Sequence, residues 1–131
     1  MSYLLDTHVW LWLVADPARI RSDLLSELRD GRTRLLLSAA SAWEIAIKWA
    51  AGRIELPEPP STYVPARMHR SSVHGLPIEH RHTLHVASLP KHHRDPFDRL
   101  LVAQAQLESL PILTADAAFE SYDLQVVRAS G

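Results

Sequence analysis

Short apolar runs alternate with longer helical patterns along the whole chain. Tyr3 to Leu5, Leu35 to Leu37, Leu76 to Ile78, Pro111 to Leu113 and Gln125 to Val127 are each bounded by turn or capping residues, and they predict five strands. Thr7 to Ala15 starts a helix straight from the first strand, and Ser22 to Arg29 sets Leu24, Leu25 and Leu28 on one helical side. Ser41 to Ala51 is a third helix, its start marked by Ser38 and Ser41 and its stop by Gly52. A fourth falls near Ser61 to Ser71, after a Pro57-Glu58-Pro59-Pro60 loop that lies inside the domain. Asp95 and Pro96 open a further helix, and a short helical stretch runs from Thr114 through Phe119. Strands alternating with helices over short connections argue for an α/β fold, a parallel β-sheet with helices on both faces.

Two helices stand out for their apolar faces. In the first, Trp10, Leu11, Trp12 and Leu13 make the surface apolar nearly all round, so burial on more than one side is required. The expected cover is a partner protein over Trp10 and Trp12, with Trp49 as a further contact; the alternative is a central core helix. In the third, Trp43, Ile47 and Ala50 trace a buried stripe that leaves Glu44 to one side, with Lys48 one turn later.

With 131 residues, 47% of them apolar, residues 1–131 are expected to form a single domain burying roughly two-thirds of its unfolded surface. The absence of cysteine excludes disulfides and thiolate metal sites and agrees with a reducing compartment. Fourteen basic against fifteen acidic residues, a formal charge of -1, argue against a protein that coats nucleic acid. Basic and histidine residues nevertheless gather from Arg67 to Arg94, as a phosphate-attracting face or a solvated helical one. The longest apolar run, Val9 to Ala15, is far short of the roughly 18 residues a membrane span needs, and no leader is read before the first strand, so a cytoplasmic location is expected.

Candidate chemistry rests on four acids, each where a strand hands over to a helix or a helix begins: Asp6, Glu44, Asp98 and Asp116. Strand ends of an open parallel sheet share one edge, so acids scattered in sequence can meet there. Carboxylates that meet repel one another unless a divalent cation sits among them. Each acid also has an ordinary reading. Asp6 could be an N-cap, Glu44 the partner of Lys48, and Asp116 a first-turn acid on a helix dipole capped by Thr114. Asp95 is assigned to capping and Asp98 to the metal, because one cap suffices. His80, His82 and His85 with His92 and His93 raise a zinc site, unsupported by any H-E-x-x-H pairing or cysteine.

The segments LLDTHVWLW, SAASAWEIAIK, HRDPFDRLLVAQA and LTADAAF, in this order and spacing, resemble the PIN domain, and within it the VapC-like toxins of bacterial type II toxin–antitoxin pairs. The resemblance spans essentially the whole chain. It implies a PIN-like α/β/α sandwich and an acidic quartet of Asp6, Glu44, Asp98 and Asp116, with Thr114 as a polar neighbour. It further implies a metal-dependent ribonuclease using Mg2+ or Mn2+, an RNA substrate, a cognate VapB-like antitoxin and a homodimer. Asp6 and Asp98 are expected as direct metal ligands, with Asp116 completing the set and Glu44 orienting or deprotonating the attacking water. Attack by water makes the ribose 2′-hydroxyl unnecessary, so 5′-phosphate and 3′-hydroxyl ends are expected. Two other classes stay open: a metal-dependent phosphatase or phosphoacceptor with Asp6 modified beside Lys48, and a binding module whose acids are caps.

Overall fold

The computed structural model describes residues 1–91 and 95–130. Five parallel strands, β1 (Ser2–Leu5), β2 (Arg34–Ser38), β3 (Val73–Leu76), β4 (Ile112–Thr114) and β5 (Val126–Arg128), form one sheet in the order β3-β2-β1-β4-β5. In the register Leu5 lies between Leu37 and Leu113. The described residues also form α1 (Thr7–Ala15), α2 (Ser22–Leu28), α3 (Ala39–Ala50), α4 (Pro60–Ser71), α5 (His80–His85) and α6 (Pro96–Glu108). None of these is long and apolar enough to cross a membrane.

Strand order decides which face each helix covers. Connections from β1 to β2 and on to β3 step one way across the sheet; the connection from β3 to β4 steps back, and right-handed crossovers therefore put its helices on the other face. Period-two alternation supplies both faces with apolar side chains. Tyr3, Leu5, Leu35 and Leu37 pack with Val9 and Trp10 of α1, Leu24 and Leu28 of α2, and Tyr63 and Val64 of α4. Leu4, Leu36 and Ile112 pack with Leu101, Val102 and Ala105 of α6 and with Phe119. The order turns back between β1 and β4, and a crevice opens at their carboxyl ends.

Several elements differ from the sequence expectation for identifiable reasons. β3 lies three residues earlier than Leu76 to Ile78, because Pro77 has no N–H for the ladder and Val73 is the strand's buried residue. β4 and β5 each sit one residue later than expected. α3 begins two residues early, at a Ser38 hydroxyl that accepts the Ala40 N–H at 3.0 Å, and it ends as expected at Gly52, whose φ is 72°.

Two helix faces require correction. Trp10 is fully buried, ring edge against Tyr63 at 6.4 Å, because α3 and α4 both pack on α1 and cover it from within the chain. The partner expected over Trp10 has no access to it. Trp12 is half-buried, with the Arg19 guanidinium 5.3 Å from its ring. In α3 the expected stripe is inverted: Trp43 and Ile47 are 57% and 44% exposed, whereas Ala40, Ser41, Glu44 and Ile45 face inward. Ala40 packs in the core beside Leu36 and Leu101, and Ser41 is held from α1 by the Thr7 hydroxyl, so the inward face of α3 is the one that carries these small residues.

Candidate active site

Asp6 follows β1 directly and is 5% exposed. It occupies the N-cap position of α1, yet its side chain makes no capping bond there. Its Oδ2 instead accepts the Thr114 hydroxyl at 2.7 Å, across the crevice between β1 and β4. Burial raises the Asp6 pKa, opposed by the Thr114 hydrogen bond and by the nearby exposed His8. The capping reading of Asp6 therefore fails on geometry, and Thr114 acts as its positioning donor.

Glu44 enters from α3 and is 3% exposed. Lys48, one turn on, donates to its Oε2 at 2.8 Å, as the sequence spacing suggested. The other oxygen, Oε1, is buried without a hydrogen-bond partner. A buried carboxylate oxygen left unmatched is costly, so it marks a place where a ligand, a water or an ion belongs. Beneath it the Thr7 hydroxyl donates to Ser41 Oγ at 2.8 Å, tying α1 to α3. Sequence reading passed over this pair, and over His8, because their only signal is proximity in three dimensions.

α6 brings the third acid. Asp95 caps it, its Oδ1 accepting the N–H groups of Phe97 and Asp98 at 2.9 and 3.3 Å. With the cap supplied by Asp95, the Asp98 carboxyl turns to the acids of the sheet edge. Its pKa is pushed up to about 8, first by burial, then by the negative charges of Asp6, Asp95, Glu44 and Asp116. Asp116 departs from expectation. It is exposed and is itself a cap, accepting the Ala118 N–H at 2.9 Å, while Thr114 Oγ1 accepts the Asp116 N–H at 3.0 Å. Its charge nevertheless reaches Asp98.

Asp98 thus feels the charges of Asp6, Glu44 and Asp116, and Asp6 feels that of Glu44. The set is all hard oxygen and includes the orphaned Glu44 Oε1. Those properties fit a divalent cation. A positive ion would relieve both the repulsion on Asp98 and the unmatched oxygen.

A tighter group lies elsewhere. Glu79, His82 and Glu108 hold ligand atoms within 4.8 Å of one another, at the opposite end of α6. Arg81 pairs with both glutamates and offsets part of their charge. His82 Nδ1 accepts the Glu79 N–H at 2.9 Å. Its Nε2 therefore carries the proton and points it towards Glu108 at 3.4 Å, leaving no lone pair for a metal. His85 bonds Gln106 at 2.7 Å, and His80 is exposed. The zinc alternative, already unsupported by the sequence, gains nothing from these contacts, and its remaining members, His92 and His93, lie outside the described residues. The basic run is likewise divided. Arg67 sits over Tyr63 and, with Arg70 and His74, lines a cavity of about 660 Å³ at the amino edge of the sheet, whereas Arg81 faces acids at the far end of α6.

Comparison with known proteins decides the family. The PIN domain family matches residues 3–124. The chain belongs to the PIN domain family. Over 71 residues this PIN domain is 46% identical to Ribonuclease VapC16 of Mycobacterium tuberculosis, a match covering 51% of this chain and 50% of that protein, so it spans about half the relative's length. Three solved structures share the PIN fold. VapBC2 from Rickettsia felis, bound to a DNA fragment from their promoter, aligns over 98% of this chain and 99% of its own, with a TM-score of 0.74 at 14% identity. VapBC-1 from nontypeable Haemophilus influenzae aligns over 98% of both chains with a TM-score of 0.68 at 22% identity. DNA-bound VapBC from Salmonella typhimurium gives 0.73 over 98% of both chains at 14% identity. At these identities the structures speak for the fold alone.

Proposed function

We propose that this PIN domain is a metal-dependent endoribonuclease, the toxin of a toxin–antitoxin pair, acting as a single domain. The observation that carries this reading is the buried, unpartnered Oε1 of Glu44, a residue whose charge falls on Asp98 together with those of Asp6 and Asp116. Support for RNA as the substrate comes from the identity to a curated ribonuclease over half of its length. Support for an antitoxin comes from solved relatives described as VapBC assemblies. By resemblance to the family, the toxin pairs as a dimer.

In this reading Asp6 and Asp98 hold Mg2+ or Mn2+, and Asp116 completes the set directly or through water. When bound, the ion neutralises charge on the scissile phosphate and lowers the pKa of water. Thr114 keeps Asp6 aimed into the crevice by its 2.7 Å bond. Lys48 occupies Glu44 Oε2, which leaves Oε1 to orient the attacking water and receive its proton. The water oxygen bonds to phosphorus, the bond to the 3′-oxygen breaks, and that oxygen takes a proton from solvent water to leave as a 3′-hydroxyl.

A phosphoacceptor reading is weaker, because Asp6 is 5% exposed and Lys48 is engaged by Glu44. Expression in bacteria tests the proposal. The chain alone should arrest growth, and Glu44→Gln should lift the arrest at equal protein level. Arrest of equal strength by the variant would indicate a toxicity that needs no cleavage.

A further inference from the structure

We propose that Trp43 is a base-stacking platform for single-stranded RNA at the flank of the acidic crevice, an inference that rests on the ribonuclease reading above. Trp43 precedes Glu44 on α3, so the helix turns its side chain about 100° from the carboxylate that faces the crevice. On the opposing helix, Phe97 immediately precedes Asp98. The two rings meet edge to face, 5.2 Å apart at 78°. Each member of this aromatic pair is thus chained to one of the acids, and the pair bridges the helices that carry them.

The contact leaves Trp43 largely uncovered: 57% of the residue stays exposed. An isolated exposed apolar residue needs no explanation, but this one stands in ring contact with the residue before Asp98, beside the acids. Ile47, one turn further along the same face and 44% exposed, extends the apolar floor away from the acids. Lys48 stands at the crevice on the neighbouring helix face, where a phosphate would lie. A single strand whose phosphate sits among the acids can therefore lay a flanking base on the indole. Stacking of this kind tolerates any base, because every base has a π-face. Trp43 contributes grip and register on the strand, and the acids contribute the cleavage.

The test is steady-state cleavage of a short single-stranded RNA in Mg2+ or Mn2+ by the full chain. Trp43→Ala should raise KM ~5- to 100-fold with kcat changed little, and Trp43→Phe should recover most of the loss. Abasic ribonucleotides, placed one position at a time, should weaken wild type at one position beside the cut and leave Trp43→Ala indifferent there. Unchanged KM in Trp43→Ala, with wild type active, overturns the stacking proposal and spares the ribonuclease reading. So does a loss of activity that tracks a fall in molecular mass, since Trp43 would then be a contact between copies. If wild type cuts no RNA under any metal, both fall together.

Discussion

Asp98→Asn should lower metal-dependent RNA cleavage by at least ~100-fold while making the metal-free protein more stable at pH 8. The loss follows from removing a ligand: even partners one step removed from a metal typically cost ~10- to 100-fold. The gain follows from Asp98's raised pKa, from 3.8 to about 8. Between those values the folded protein holds a proton on Asp98 that the unfolded chain has released. More protons bound in the native state means that stability falls as pH rises through this window. Asparagine cannot ionise, so the variant escapes that fall, by on the order of 2 kcal/mol after allowing for solvent screening at this half-buried position. Thermal melts in EDTA from pH 4 to 9 measure it. Wild type should lose stability across the range and recover it on addition of Mn2+, and Asp98→Asn should show both effects more weakly, the remainder coming from Asp6, whose pKa burial also raises. A variant that cuts RNA at the wild-type rate, or melts below wild type at pH 8, removes Asp98 from the cluster.

Trp10→Ala should destabilise the isolated chain by ~3 to 5 kcal/mol, read from the shift in urea midpoint at constant slope. Trp10 is fully buried among Val9, Leu35, Tyr63 and their neighbours, and truncation leaves a cavity that the surrounding strands cannot close. Its indole N–H has no hydrogen-bond partner, which subtracts from the residue's net worth and places the expected value in the lower half of that range. Trp12→Ala, at a half-buried position, should cost less than half as much. Equal costs at the two positions would mean that α1 is not packed as described.

Much of the architecture was legible because strand and helix periods differ so plainly in this chain. α1 was bounded at both ends, since a helix that leaves the strand at Thr7 and stops before Asp16 and Pro17 has little freedom. The reading of Asp95 as the cap held, for a local reason: cap chemistry is written in adjacent residues. What failed were inferences about which way a helix faces. Trp43, Ile47 and Ala50 have the spacing of a core stripe, and nothing within α3 reveals that Ala40 and Ser41 are the residues pressed inward. Trp10 looked too apolar for one-sided burial, which was correct; the missing cover proved to be α3 and α4, brought there by the return of the chain to the same face of the sheet. Asp116 was read as free of capping because Thr114 seemed the natural cap, but the helical turn starts later, at Ala117, and Asp116 caps it while Thr114 donates its hydroxyl proton to Asp6, 108 residues away in sequence.

We propose that these four acids direct a water at an RNA phosphodiester with a divalent cation among them. The ends left on a single-stranded RNA by the purified chain report on this step. With Mg2+ or Mn2+ present the fragments should carry 5′-phosphate and 3′-hydroxyl ends, and with EDTA the RNA should remain whole. Fragments ending in 2′,3′-cyclic phosphate, or cleavage that persists in EDTA, would contradict it.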